Sequence, residues 1–162
     1  FVCVVYAYKY ARRDIFGYSL ICRLTMALPR GIRNNNPLNI RKGCNWKGER
    51  HPQTDKAFEE FESLEMGLRA GLVLLRNYID GSTTGGVKFN TIARIVARWA
   101  PPRENNTARY MQFVCEQTGL HPNEVIRFRE RSKMVAIVHA MCKMECGIDI
   151  DTKVIESAYD LV

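Results

Sequence analysis

The apolar positions of this chain follow two different rhythms. From Leu64 onward they recur every three or four residues, whereas before it they are scattered among asparagine, glycine and proline. In "SLEMGLRAGLVLLRNYI", Leu64, Leu68, Leu72, Leu75 and Ile79 mark one helix face, with Ser63 as its N-cap and Gly81 as its stop. "TIARIVARW" predicts a second helix with Ile92, Ile95, Val96 and Trp99 inward, halted by Pro101-Pro102. Thr107 stands where it can cap a third, carrying Tyr110, Phe113, Val114 and Gln117 and closed by Gly119. "HPNEVI" reads as the opening of another short segment, because Pro122 suits a first helical turn. "SKMVAIVHAMCKMECG" is the most apolar helix. Met134, Ile137, Val138, Met141 and Met144 or Glu145 form its buried stripe, and Gly147 stands where a left-handed cap belongs. The tail to Val162 also reads as helical.

Ahead of these helices, "LNIRK" and "KAFEEF" predict brief strands, with Gly43, Asn45, Gly48 and Pro52 as punctuation. The expected architecture is therefore mainly α, a helical domain with a small β or loop lobe near its start. Residues 1–25 mix aromatics with Arg12-Arg13 in no clear period and lack the ordered zones of a secretory signal. They read as an extension that is artefactual or poorly ordered, ahead of one domain over residues 26–162.

Composition narrows the partners. A length of 162 residues suits one core, and no run of about 18 uncharged apolar residues is present, so no membrane span is expected. The formal charge of +7 favours an anionic partner such as nucleic acid, a membrane surface or cell-wall polymer. Residues 1–25 hold Lys9, Arg12, Arg13 and Arg23 against Asp14, which leaves only a mild excess on the main body. No RRM, KH or helix-turn-helix signature accompanies it, so nucleic acid is not the expected partner. Six cysteines lack the dense spacing of a disulfide scaffold and read as reduced, mostly buried thiols. His139, Cys142 and Cys146 share a helical face and are metal-ligand types. A fourth ligand is missing, so packing is the better reading, and no metal or organic cofactor is expected.

Three groups of side chains could carry chemistry. Glu145 lies on or beside an apolar stripe at the last turn of a helix. Burial and the negative helix end both disfavour a carboxylate there, and an acid that keeps its proton can give it to a leaving oxygen. The plainer alternative has Glu145 pointing outward, beside Lys143. Asp55, Glu59, Glu60, Glu62 and Glu65 form a second group, from which one member could face Glu145 as a second carboxylate; spacing alone does not choose among them. The third group joins amides to aromatics: Asn34, Asn35, Asn36, Asn39, Trp46, Trp99, Asn105, Asn106 and Tyr110. Sugar rings offer hydroxyl edges to amides and C–H faces to aromatics, although asparagine beside Pro37 also serves as a plain turn.

"RGIRNNNPLNIRK", "TDKAFEEFESLEMGLRAG", "TIARIVARWAPPRENNTARYMQFV" and "MVAIVHAMCKMECG" together resemble a family of phage and prophage virion-associated proteins. The resemblance runs from Arg30 to about Gly147. Met144-Glu145-Cys146-Gly147 keeps the glutamate and glycine of that family's last motif but not the flanking pair. The family in turn resembles a lysozyme-like α+β fold whose segments are circularly permuted. "NNPLNI" with "NWKG" is similar to the small lobe of flagellar-type glucosaminidases, and "ENNTARYMQFV" to a tyrosine-bearing motif of lytic transglycosylases. The resemblance implies a peptidoglycan-cleaving glycosidase: a muramidase, glucosaminidase or lytic transglycosylase. Glu145 would be the acid, Tyr110 would lie near C1 of the cleaved sugar, and Glu62 would be a second carboxylate if hydrolysis needs one. Asn36, Asn39, Trp46, Asn105 and Asn106 would line the glycan groove. Bacterial peptidoglycan and phage virion or tail proteins are the implied partners, and the virion or the periplasm and cell wall the implied place of action. The alternative is a non-catalytic virion structural or glycan-binding protein on the same shell.

Overall fold

The computed structural model describes residues 28–162, so the expected extension over residues 1–25 lies outside the described residues. Among the described residues six helices follow one another: α1 (Arg30–Arg33), α2 (Leu64–Asp80), α3 (Ile92–Trp99), α4 (Thr107–Thr118), α5 (Arg131–Cys146) and α6 (Thr152–Asp160). The described chain is mainly helical, and none of its helices is long and apolar enough to cross a membrane.

Local chemistry sets the helix ends. The Ser63 side chain accepts from the Met66 N–H at the start of α2, and Gly81 closes it in a left-handed conformation. Thr91 caps α3 in the same way. At α4 the cap is Asn106 rather than Thr107; the Thr107 hydroxyl instead donates to the Ala100 carbonyl at 2.6 Å, joining the end of α3 to the start of α4. Around α5, burial is broader than a single stripe. Met134, Val135, Ile137, Val138, Ala140, Met141 and Cys142 are all buried, as befits a helix surrounded by α1, α4 and α6. The α6 helix packs on α2 and α5, and Arg69 and Arg76 of α2 donate to the carbonyls of Leu161 and Val162.

Three expected segments take other forms. "HPNEVI" does not begin a helix. Its Pro122 carbonyl accepts from the Ala93 N–H at the head of α3, and Val125 makes an isolated antiparallel bridge with Thr91. The predicted strands over "LNIRK" and "KAFEEF" reduce to isolated bridges, Arg41 with Phe58 and Glu49 with Phe61.

In that lobe, side chains replace a ladder. Asn36 is fully buried; its amide donates to the carbonyls of Ile40 and Glu59 and accepts from the Ile40 N–H, each at 2.9 Å. Glu60, 1% exposed, takes the backbone N–H groups of Thr54 and Asp55, the Thr54 hydroxyl and the Arg50 guanidinium. Burial pushes the Glu60 carboxyl up, and these donors more than offset it, holding it below the usual range. Asn36→Ala strands the Ile40 N–H and the Glu59 carbonyl in a dry interior. A loss of about 2 kcal/mol is expected in denaturant melts.

Asp55 anchors the lobe to α1. Arg30 grips its two oxygens at 2.6 Å each, and the Asn34 amide adds a third bond at 2.7 Å. The Arg30 guanidinium holds the Asp55 carboxyl well below the usual carboxylate range against the opposing effect of burial, helped by the Ala57 N–H, Asn34 and the Phe58 N–H. A depressed folded-state value means stability that is fully present above the ordinary aspartate value of about 4 and drains away as pH falls further. Melting temperatures of wild type and Asp55→Asn should therefore differ most at neutral pH and converge in acid. Equal gaps at pH 7 and pH 2 would refute this account.

Candidate functional site

Each asparagine of the "NNNPLN" run has a different task. Asn34 holds Asp55, and Asn35 donates to the Phe61 carbonyl at 2.9 Å. Asn35 and Asn39 both adopt left-handed backbone, φ 51° and 50°, which asparagine tolerates better than most residues. Leu38 and Ile40 on either side of Asn39 are buried, so its backbone is fixed and the left-handed turn sets where the amide points. Gly31 makes room for that amide: a Cβ there would meet the Asn36 carbonyl oxygen at 2.9 Å and Asn39 Oδ1 at 3.0 Å.

The amide points at the end of α5. Asn39 Nδ2 donates to Glu145 Oε2 at 2.9 Å, and on the other side the Tyr110 hydroxyl of α4 donates to Glu145 Oε1 at 3.1 Å. A half-buried carboxyl in the last turn of one helix is thus clasped by an amide from the lobe and a phenol from a second helix. Burial, and then the adjacent Glu145 carboxyl, push the Tyr110 phenol well above its usual value, so it remains an O–H donor and not a base.

Beneath this clasp lie two thiols. Cys146 donates to the Pro37 carbonyl at 3.5 Å and the Cys142 carbonyl at 3.0 Å, which ties the asparagine run to α5 a second time. Burial pushes the Cys146 thiol up to about 11 and the Cys142 thiol well above its usual value. Protonated thiols are poor nucleophiles, which leaves proton transfer through Glu145 as the chemistry this cluster can do. His139 stands apart from both, paired with Asp149 at 2.5 Å.

The other expected site residues are placed differently. Asn36 is a buried brace with both amide hydrogens committed, so it cannot face a sugar. Asn39 spends its amide on Glu145. Asn106 caps α4 at 3.1 Å and is exposed, as is Asn105 beside it. Trp46 packs partly against the core, and its Nε1 has no hydrogen-bond partner among the described residues. Glu62 is exposed, and its side chain makes no hydrogen bond or ion pair among the described residues; only its N–H is engaged, with the Gly48 carbonyl. Glu59 and Glu60 are bonded within the lobe, Glu59 through Gly43 and Gln53, and Asp55 is held by Arg30 and Asn34.

Sequence reasoning missed the glycines that position the amide. Gly67 and Gly71, one turn apart on α2, lie under the Asn35 carbonyl and the Leu38 side chain. Their signal was present as two glycines four residues apart inside an otherwise regular helix pattern.

No family model matches the chain. It is 40% identical over 124 residues to "Protein P5" of Pseudoalteromonas phage PM2, a match that covers 73% of this chain and 71% of that protein.

Proposed function

The chain belongs to the family of Protein P5 of Pseudoalteromonas phage PM2, and from that premise we propose that it cleaves the glycan strands of bacterial peptidoglycan by general-acid catalysis. One observation carries the reading: the Glu145 carboxyl, at the end of α5, is gripped by Asn39 and Tyr110 from two other parts of the chain. Glu145 gives its proton to the glycosidic oxygen as the bond to C1 breaks. Tyr110 and Asn39 hold the carboxyl in one orientation, and the phenolic oxygen lies near the sugar carbon on which positive charge develops. Trp46, Asn105 and Asn106 offer aromatic and amide contacts along the strand.

The hydrogen-bonded cluster contains the one carboxylate Glu145, and the reading taken here is the single-acid route. The sugar's own 6-hydroxyl then attacks C1, forming the C1–O6 bond, and its proton returns to Glu145. In this proposal the domain over residues 26–162 is a permuted lysozyme-like fold, with the lobe first and the acid helix near the end, and a phage particle delivers it to the wall.

A second reading rests on the same geometry. Both oxygens of Glu145 are engaged, which is also what a tie between lobe and helices needs in a non-catalytic virion protein. A peptidoglycan zymogram followed by mass spectrometry of the products separates the two. Cleavage by the single-acid route yields anhydro-muramic ends, hydrolysis yields reducing ends, and absence of clearing by the wild type supports the structural role.

A further inference from the structure

The Glu145 cluster joins the lobe to α4, and the same two parts of the chain meet again nearer the solvent. Arg41 lies two residues past Asn39, and Glu104 lies six residues ahead of Tyr110. Their charged groups meet at 2.9 Å, and the two side chains are 71% and 54% exposed. The chain thereby closes a ring through Asn39, Arg41, Glu104, Tyr110 and Glu145. The half-buried carboxyl lies on the inner side of that ring and the exposed ion pair on its outer side.

Glu104 belongs to the segment between α3 and α4, whose feet are fixed. The Thr107 hydroxyl holds the Ala100 carbonyl, and the N–H groups of Glu104 and Asn105 both return to the Pro101 carbonyl, at 3.0 and 3.1 Å. The tip is held differently. Pro102, Arg103, Glu104 and Asn105 are all exposed, and among the described residues their one side-chain hydrogen bond or ion pair is that of Glu104 with Arg41. Arg41 has support on its own side, with its guanidinium 5.8 Å from the centre of the Phe58 ring. A pair this exposed holds weakly and is screened by salt, so it can keep the tip down at rest and release it without disturbing either foot.

A glycan strand of cell wall is long and carries peptide branches. It cannot thread a closed ring and has to enter a cleft from the side. We infer that the segment from Pro101 to Asn106 is a strap over the acid, latched by Arg41 and Glu104, and that the latch has to part before a strand reaches Glu145. Reclosure brings Asn105 and Asn106 back over the bound strand. The strap rests on the reading of the Glu145 cluster as a glycan site, and it adds a control on access to that site.

The test locks the latch. Arg41→Cys/Glu104→Cys is made in a Cys44→Ser chain, because Cys44 is an exposed free thiol, and the two new thiols are joined by a short bis-methanethiosulfonate linker that dithiothreitol removes. Binding to insoluble peptidoglycan sacculi and release of soluble fragments are both measured. The linked protein should lose binding and cleavage and regain both on reduction, whereas the Cys44→Ser parent treated with the same linker should keep them. Glu104→Gln, which frees the latch, should cleave up to about fivefold faster than wild type at low salt and lack the acceleration that added salt gives the wild type. Equal binding and cleavage with the linker in place overturns the strap and leaves the catalytic reading standing, and so does an equal loss in the linker-treated parent. Binding that the linker blocks, in a protein that never cleaves, keeps the strap and removes the catalytic reading. A wild type that neither binds nor cleaves sacculi overturns both.

Discussion

Gly67→Ala is expected to destabilise the protein by about 3 kcal/mol, a shift of roughly 10 °C in melting temperature for a chain of this size. An alanine in place of a glycine inside a helix ordinarily stabilises by about 1 kcal/mol, so the prediction reverses the usual sign. The reason is a contact with no freedom to yield. A Cβ at position 67 would lie 1.8 Å from the Asn35 carbonyl oxygen, and that oxygen belongs to backbone held in a left-handed turn by the Asn35 amide on Phe61. Either α2 or the asparagine run must move. Gly71→Ala makes an instructive comparison, since its Cβ meets the Leu38 side chain, which can rotate. Thermal melts of the two variants should rank Gly67→Ala well below Gly71→Ala; a Gly67→Ala protein as stable as wild type would contradict the packing described here.

Glu145→Gln is expected to lower peptidoglycan cleavage about a thousandfold, within the range that a lost general acid costs. Glutamine preserves the shape and one acceptor oxygen. Its carbonyl oxygen can still accept from the Asn39 amide and its NH2 can donate to the Tyr110 hydroxyl, which accepts as well as donates, so both contacts survive and the exchange of a carboxylate for a neutral amide costs about 1 kcal/mol. Activity should therefore vanish from a protein that still melts cooperatively only a few degrees early. The pair of measurements separates the two functional readings. A catalytic Glu145 loses rate with little loss of stability, whereas a purely structural one changes melting temperature in a protein that never cleared the substrate.

The helices were legible because their signals are local. Ser63 and Gly81 bracket α2, Thr91 and Pro101 bracket α3, and Gly147 closes α5, each through a bond or a backbone conformation that one residue decides. The lobe was not legible as built. "LNIRK" and "KAFEEF" have the look of strands, yet the segment is held by Asn36 and Glu60 bonding to distant backbone, and no periodicity encodes such bonds. Asn36 and Asn39 are three residues apart and chemically identical, yet one is a buried brace and the other meets Glu145. What separates them is burial and a positive φ, which depend on α1 and α2 packing against the turn. Glu62 among the acids, and Asn106 rather than Thr107 at the cap, are likewise decided by neighbours remote in sequence or by a one-residue shift.

The clasp on Glu145 draws on partners 106 and 35 positions away along the chain. Closing loops that long is slow and comes late, after the local helices have formed. A nascent chain thus has no assembled acid site until α5 has been made and the lobe has docked on it. A single proteolytic cut that frees the asparagine run would dismantle the same cluster while sparing most of the helical bundle.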